Sequence, residues 1–227
     1  MSVELRWLGH GSWSLDIDGH AVVLDPFFND SPTSPVKADE VAAETILISH
    51  GHFDHIADAC SIAKRTGAVC VCNFEIHSWL SDQGVERTTP MNSGGTVELP
   101  FGKVTLTAAV HSSSFPDGSY AGLAGGFVLQ LAAGNIYFAC DTALFGDMEW
   151  IGAMGIDLAV LPIGDVYTMG PDASLRAIQL IAPKRVAPAH YNTWPPIEQD
   201  AQAWADQVRR QTNAEPIVLN PGDRFAL

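Results

Sequence analysis

Residues 49–55 read Ser-His-Gly-His-Phe-Asp-His, directly after the apolar run Thr45-Ile46-Leu47-Ile48. Three of the chain's 8 histidines and one acid therefore fall within six positions. His50 and His52 are two apart, so in an extended segment both rings project to one side and can share an ion. Asp54 and His55 are adjacent and need a turn to converge, which suits a second ion beside the first. Imidazole and carboxylate are ligands that zinc, manganese, iron and nickel accept. The bland alternative is a polar loop in which Asp54 caps the following helix. Three histidines and an acid straight after a buried strand favour metal.

A cluster of this kind closes only if the fold brings further ligands to it. The first third reads as short strands with a turn at Asp18-Gly19, a Pro-rich loop, the strand Thr45–Ser49, a helix through IADACSIAKRTG, the strand AVCVC and a short helix in FEIHSWLSDQG. The middle is strand-rich (TVELP, KVTLTAAV, GFVLQLA, NIYFACD), with a hairpin turn expected at Ala133-Gly134-Asn135. Helices and strands alternate from Asp147 onward: MEWIGAMG, IDLAVLPIG, ASLRAIQLIA, RVAPAH, DAQAWADQVRRQ and EPIVLN. The pattern predicts an α+β chain with two sheets covered by helices, folded as one domain over residues 1–227. His111, Asp141 and His190 each end an apolar run in the far parts of the chain. Each alone reads as a capping or surface group. With the local cluster they make seven candidates, enough for two ions with a position left for water.

Charge excludes some partners. Lysine and arginine total 12 against 26 acids, a net charge of −14, and the adjacent basic pairs fall in or beside expected helices. Nucleic acid and anionic membranes are poor partners for such a chain. No apolar run approaches the roughly 20 residues needed to span a bilayer. The opening MSVELRWLGHG has no basic region followed by an apolar stretch, so a cytoplasmic location is expected. Cys60, Cys70, Cys72 and Cys140 form no CxxC pair, and disulfides are not expected.

The pattern HxHxDH, followed by a histidine, an Asp-Thr and a late histidine, resembles the metallo-β-lactamase superfamily. LGHGSWSLDI, VVLDPFF, LPIGDVYTMGPDAS and AHYNTWPPIEQD add a resemblance to metal-dependent hydrolases related to L-ascorbate-6-phosphate lactonase. The resemblance implies an αββα sandwich of two similar halves with the metals at one edge. It implies that His50, His52 and His111 hold a first ion, Asp54, His55 and His190 a second, and that Asp141 bridges them. Zinc leads among the metals, with manganese, iron or nickel as alternatives, and some relatives keep one site empty. Glycine is usual before the bridging acid; here Cys140 stands there, expected from strand alternation to face the core.

A ligated imidazole needs a partner for its other nitrogen, and Asp25 and Asp165, each after an apolar run, are the candidates. Asp54 and His10 are the candidates for catalytic roles, Asp54 taking a proton or orienting the nucleophile. Tyr167, Tyr191 and Trp194 lie in loops expected to ring the metals, which carry no lysine or arginine. That leans the substrate away from phosphates and toward an uncharged ester, lactone or amide in a small molecule. The alternatives are a phosphodiesterase or nuclease of the same fold, and a metal-dependent binding protein without turnover. A homo-oligomer is compatible with Trp79, Trp150 and Trp204 but is not specified by them.

Overall fold

The computed structural model describes residues 2–227. Fourteen strands and six helices follow in chain order: β1 (Val3–Trp7), β2 (Trp13–Ile17), β3 (His20–Leu24), β4 (Thr45–Leu47), α1 (Phe53–Ile56), α2 (Ala59–Thr66), β5 (Val69–Asn73), α3 (Phe74–Asp82), β6 (Thr88–Met91), β7 (Thr96–Leu99) and β8 (Gly102–Ala108). Then come β9 (Gly125–Leu131), β10 (Gly134–Phe138), α4 (Met148–Gly152), β11 (Leu158–Pro162), α5 (Pro171–Ile181), β12 (Arg185–Ala189), α6 (Ala201–Gln211), β13 (Glu215–Pro216) and β14 (Arg224–Ala226).

They form two seven-stranded mixed sheets, β14-β1-β2-β3-β4-β5-β6 and β13-β12-β11-β10-β9-β8-β7. In the first, pairing is antiparallel from β14 to β3 and parallel from β3 to β6. The second repeats the scheme, antiparallel from β7 to β10 and parallel from β10 to β13. The chain's end supplies β14 to the outer place beside β1 that β7 occupies beside β8. This is the αββα sandwich of similar halves expected from the sequence.

Side-chain alternation builds the layers. Val22, Leu24, Leu47 and Val71 face the other sheet and share its core. Their neighbours Val23, Ile46, Cys70 and Cys72 face outward onto Ile56, Ile62, Ile76 and Leu80 of α1, α2 and α3. Burial pushes the Cys70 thiol up to about 12, as expected of a cysteine serving as a small apolar residue. On the opposite side, Leu175, Ile178, Ile181, Trp204 and Val208 of α5 and α6 cover the second sheet. β11 is buried along its whole length, hence its unbroken apolar sequence. The β2–β3 turn is Asp18-Gly19, both left-handed (φ 49° and 85°), as a two-residue hairpin loop requires.

Some boundaries differ from expectation. The helix through IADACSIAKRTG is divided at Ala57-Asp58, where the Asp58 amide donates to Pro26 O instead of along the helix and its carboxylate accepts the Phe28 and Asn29 amides. Asp54 therefore sits inside α1 rather than capping a longer helix. The β9–β10 turn is Ala132-Ala133, since Gly134 already pairs with Leu131. Among the described residues, no helix is long and apolar enough to cross a membrane.

Candidate metal centre

One edge of the sandwich gathers the loops that follow β1, β3, β4, β8, β10, β11 and β12. Among the described residues, nine non-glycine residues have left-handed backbone, and seven of them lie in these loops: His10, Asp25, Cys140, Asp165, Val166, His190 and Asn192, the others being Asp18 and Ala182. Such conformations cost energy and persist where the surroundings over-determine them, which is common at functional edges. Here they turn strand ends sharply so that imidazoles and carboxylates converge.

The convergence forms two groups, linked by a third set of Asp25, His50 and His55. His50 Nε2 lies 3.0 Å from His52 Nδ1, and His111 Nε2 lies 3.3 Å from the same atom. These three donor atoms form one group and those of His10, Asp54, His55 and His190 a second, each within 4.8 Å of one another. Asp141 lies between. Its Oδ2 is 4.0 Å from His50 Nε2 and 3.6 Å from His111 Nε2 on one side, and 3.3 Å from His55 Nε2 and 3.0 Å from His190 Nε2 on the other. One carboxylate oxygen thus faces four imidazole nitrogens, two from each group.

A cation suits this arrangement on the chain's own terms. The Nε2 atoms of His55 and His190 and Oδ1 of Asp141 are buried without an aligned hydrogen-bond partner among the described residues. Orphaned buried lone pairs are costly, and a divalent ion is the partner that satisfies several at once. Metal–nitrogen bonds of about 2.0–2.1 Å place tetrahedral donors roughly 3.3–3.5 Å apart, close to the His50–His52–His111 spacing.

The metal-free electrostatics divide the same way, His10 excepted. Burial holds the His50 ring well below the usual histidine range, and burial also lowers His52 and His111. Burial opposes protonation of His190 and His55 too, but there the carboxylates of Asp141 and Asp54, joined at His55 by Asp25, together outweigh it: His190 is raised to about 9 and His55 is raised well above its usual value. The Asp141 carboxyl, despite burial, is pulled far down by His190 and His55. Protons stand in for cations in the group that holds the carboxylates.

Around these side chains, Asp25 joins two of them. Its Oδ2 accepts from His55 Nδ1 at 2.9 Å and from the Ser49 hydroxyl at 2.6 Å, and Ser49 Oγ lies 2.9 Å from His50 Nδ1. Ser49 was not anticipated, although it is the hydroxyl residue immediately before the motif. His10 lies 2.9 Å from Asp54 Oδ2 through Nε2 and 2.7 Å from the Thr193 hydroxyl through Nδ1. It is fully buried, so it holds Asp54 from behind and does not face a substrate. Burial, then the neighbouring His190, lowers its pKa to about 3, leaving a neutral ring that donates from Nε2 and accepts from Thr193.

Two expected residues fall elsewhere. Asp165 is exposed and its carboxylate accepts the Val166 amide, so it orients its own turn rather than an imidazole. Tyr191 is buried and stacks on Trp7 with centroids 5.2 Å apart, because the backbone turns at His190 and Asn192 send its ring inward. Tyr167 and Trp194 do line a cleft of about 590 Å³ over the metal groups, with Phe53, Ser112 and Val166, which the sequence did not single out. Cys140 packs against the core as expected, though not by strand alternation. β10 ends at Phe138, and Cys140 has φ 53°, the conformation glycine adopts without cost. Burial, then Asp25 and Asp141, raises its thiol far above the ordinary range.

Residues 20–191 match the beta-lactamase superfamily domain. A UPF0173 metal-dependent hydrolase of Thermus thermophilus is 45% identical over 225 residues, covering 99% of both chains. One from Heliobacterium modesticaldum is 42% identical over 233 residues, covering 99% of this chain and 98% of its own. The chain belongs to the metallo-β-lactamase superfamily. Within the superfamily, Igni18, a metallo hydrolase of Ignicoccus hospitalis, superposes with a TM-score of 0.91 at 32% identity over 100% of this chain and 99% of its own. The similarity supports the family of metal-dependent hydrolases as a whole rather than a lactonase subgroup. In this member of the superfamily the motif segment supplies His50, His52, Asp54 and His55, while β8, β10 and β12 deliver His111, Asp141 and His190.

Proposed function

We propose that the chain is a hydrolase using two divalent ions, zinc first and manganese, iron or nickel as alternatives, on an ester, lactone or related bond of a small molecule. The observation that carries this reading is Asp141 Oδ2 set between two imidazole pairs. His50, His52 and His111 would hold one ion, Asp54, His55 and His190 the other, with Asp141 shared. When bound, such ions supply an acidified water and a Lewis-acid contact for the substrate oxygen.

The remaining work falls to the chain. Asp25 and Ser49 fix the rings of His55 and His50 so that their Nε2 lone pairs point inward. Asp54 lines the cleft, and the 2.9 Å contact with His10 Nε2 favours its ionised form against the pull of burial. A carboxylate so placed accepts a proton from an attacking water and passes it to the leaving group. His10 restricts the carboxylate to one orientation. The reaction class is hydrolysis without a covalent intermediate on the protein.

Metal analysis joined to a substrate panel tests the reading. About two equivalents per chain are expected, with ester or lactone turnover lost on chelation and restored by zinc or manganese. Preference for bis(4-nitrophenyl) phosphate would replace it with a phosphodiesterase. A fully metallated protein inert on every ester, lactone and phosphodiester would leave a binding protein.

A further inference from the structure

From the cleft that opens over the metal groups we infer that the substrate is uncharged at the end remote from the scissile bond and carries an apolar group there, seated between two walls of this chain. The inference rests on the hydrolase reading for the position of the scissile bond and adds the chemistry of the remote end. One wall is aromatic and preassembled. Phe53 and Trp194 have ring centroids 5.9 Å apart, and Phe27 lies behind both at 5.8 Å and 6.1 Å. His10 packs against the Trp194 ring at 5.0 Å, so the wall is continuous with the residue that holds Asp54.

The facing wall is Val166 and Tyr167, 65% and 56% exposed. Their presentation is costly. Asp165 and Val166 are both left-handed (φ 63° and 52°), and a β-branched residue is among the worst suited to that conformation. The loop is nonetheless fastened: the Met169 amide donates to Thr142 O at 2.9 Å, Met169 is buried, and the Tyr167 and Thr168 amides both donate to Asp165 O. A tied, strained loop that holds two apolar side chains out over a metal cleft is intelligible if a ligand covers them. Among the described residues no lysine or arginine lines the cleft, and the carboxylates of Asp54 and Asp141 lie at its floor. A remote anionic group would meet no cation there.

Among the described residues, three of the eight exposed large apolar residues, Phe53, Val166 and Tyr167, line this cleft. The volume of about 590 Å³ is that of a small-molecule site.

The test uses the metal-loaded full chain and 4-nitrophenyl esters from acetate to octanoate, with the mono-ester of glutarate set against pentanoate. Complete burial of a methylene is worth about fourfold in affinity, and about twofold in kcat/KM per methylene is expected in a half-open cleft. The glutarate ester should fall at least roughly tenfold below pentanoate. Val166→Gly relieves the backbone, so its thermal midpoint should hold or rise while the chain-length dependence flattens. A flat or falling series, or a glutarate ester equal to pentanoate, overturns the inference. Should no ester turn over, the hydrolase reading fails, and the apolar subsite is then read by binding. Hexanamide should change tryptophan emission at lower concentration than acetamide, and Trp194→Phe should abolish the difference. Equal responses to the two amides overturn the inference whatever the turnover.

Discussion

His10 Nε2 lies 2.9 Å from Asp54 Oδ2 inside a fully buried contact, and the other ring nitrogen is 2.7 Å from the Thr193 hydroxyl. The loops after β1 and β12 thereby fix the one cleft-lining carboxylate of α1. Thr193→Val keeps the shape and removes the hydroxyl that selects the tautomer. It is expected to weaken the ion held by Asp54, His55 and His190 about 10-fold while leaving the other nearly unchanged. Competition with a chelator, followed by metal analysis, reads the two affinities separately; an equal loss at both would refute the arrangement.

Asp141 should differ in kind from the other ligands. Because its Oδ2 faces imidazoles of both groups, Asp141→Asn is expected to lower metal content from about two equivalents to less than one. His52→Ala, which touches only the His50–His111 group, should remove about one equivalent. The comparison is made on chains of matched fold by circular dichroism. Equal losses from the two substitutions would contradict a shared carboxylate.

Ser49 and Asp25 support both groups from one point. The Ser49 hydroxyl donates to Asp25 Oδ2 and receives the His50 ring, while the same Oδ2 receives His55. Ser49→Ala is therefore expected to weaken both ions by about 10- to 100-fold. Ser49→Thr should retain much of the binding, since the hydroxyl survives. Calorimetric titration of the metal-free variants distinguishes the two.

How much of this was legible follows from how each residue does its work. The cluster was readable because spacing exposes His50–His55 directly, and His111, Asp141 and His190, each unremarkable alone at the end of an apolar run, converge on it in the fold. The sheets were readable where a strand is buried on one or both faces, as in β2 and β11. β6 and β14 were not, being short, half-exposed strands, and β14 is held by β1 from the other end of the chain. Asp165 and Tyr191 were misplaced because φ at Asp165, Val166, His190 and Asn192 decides where those side chains point. Left-handed backbone at non-glycine residues leaves no periodic trace. Ser49 and Thr193 act through single hydrogen bonds across the fold, and nothing local marks them.

Cys140 is a direct test of that backbone argument. At φ 53° a glycine would be unstrained, but the substitution also loses the packed thiol. The two effects oppose, so Cys140→Gly is expected to change stability by no more than about 1 kcal/mol and to keep the metal stoichiometry. Cys140→Val, β-branched in the same conformation, should destabilise clearly more. Denaturant unfolding of the three proteins decides this; a Val variant as stable as the Gly variant would remove the strain explanation.

The metal-free protein should have a stability maximum near neutrality. His190 has a folded pKa of about 9, raised by Asp141 against the pull of burial, so its contribution is complete below about 6.5 and is lost as pH rises through 9. His10 runs the other way. Burial and His190 lower its folded value to about 3, so the unfolded chain takes up a proton first and stability falls as pH drops from about 6.5 toward 3. His50, lowered by burial, acts in the same sense as His10. Asp54 and Asp141 have depressed values, and their contributions are full above the unfolded carboxylate range and decline in acid. Thermal midpoints of chelated protein should therefore fall on both sides of a maximum between about pH 6.5 and 8. With metal bound, the ion replaces the protons on His55 and His190, so the alkaline decline through pH 9 should shrink, while acid should weaken metal binding as protons compete. An alkaline limb unchanged by metal would mean that His190 does not exchange its proton for the ion.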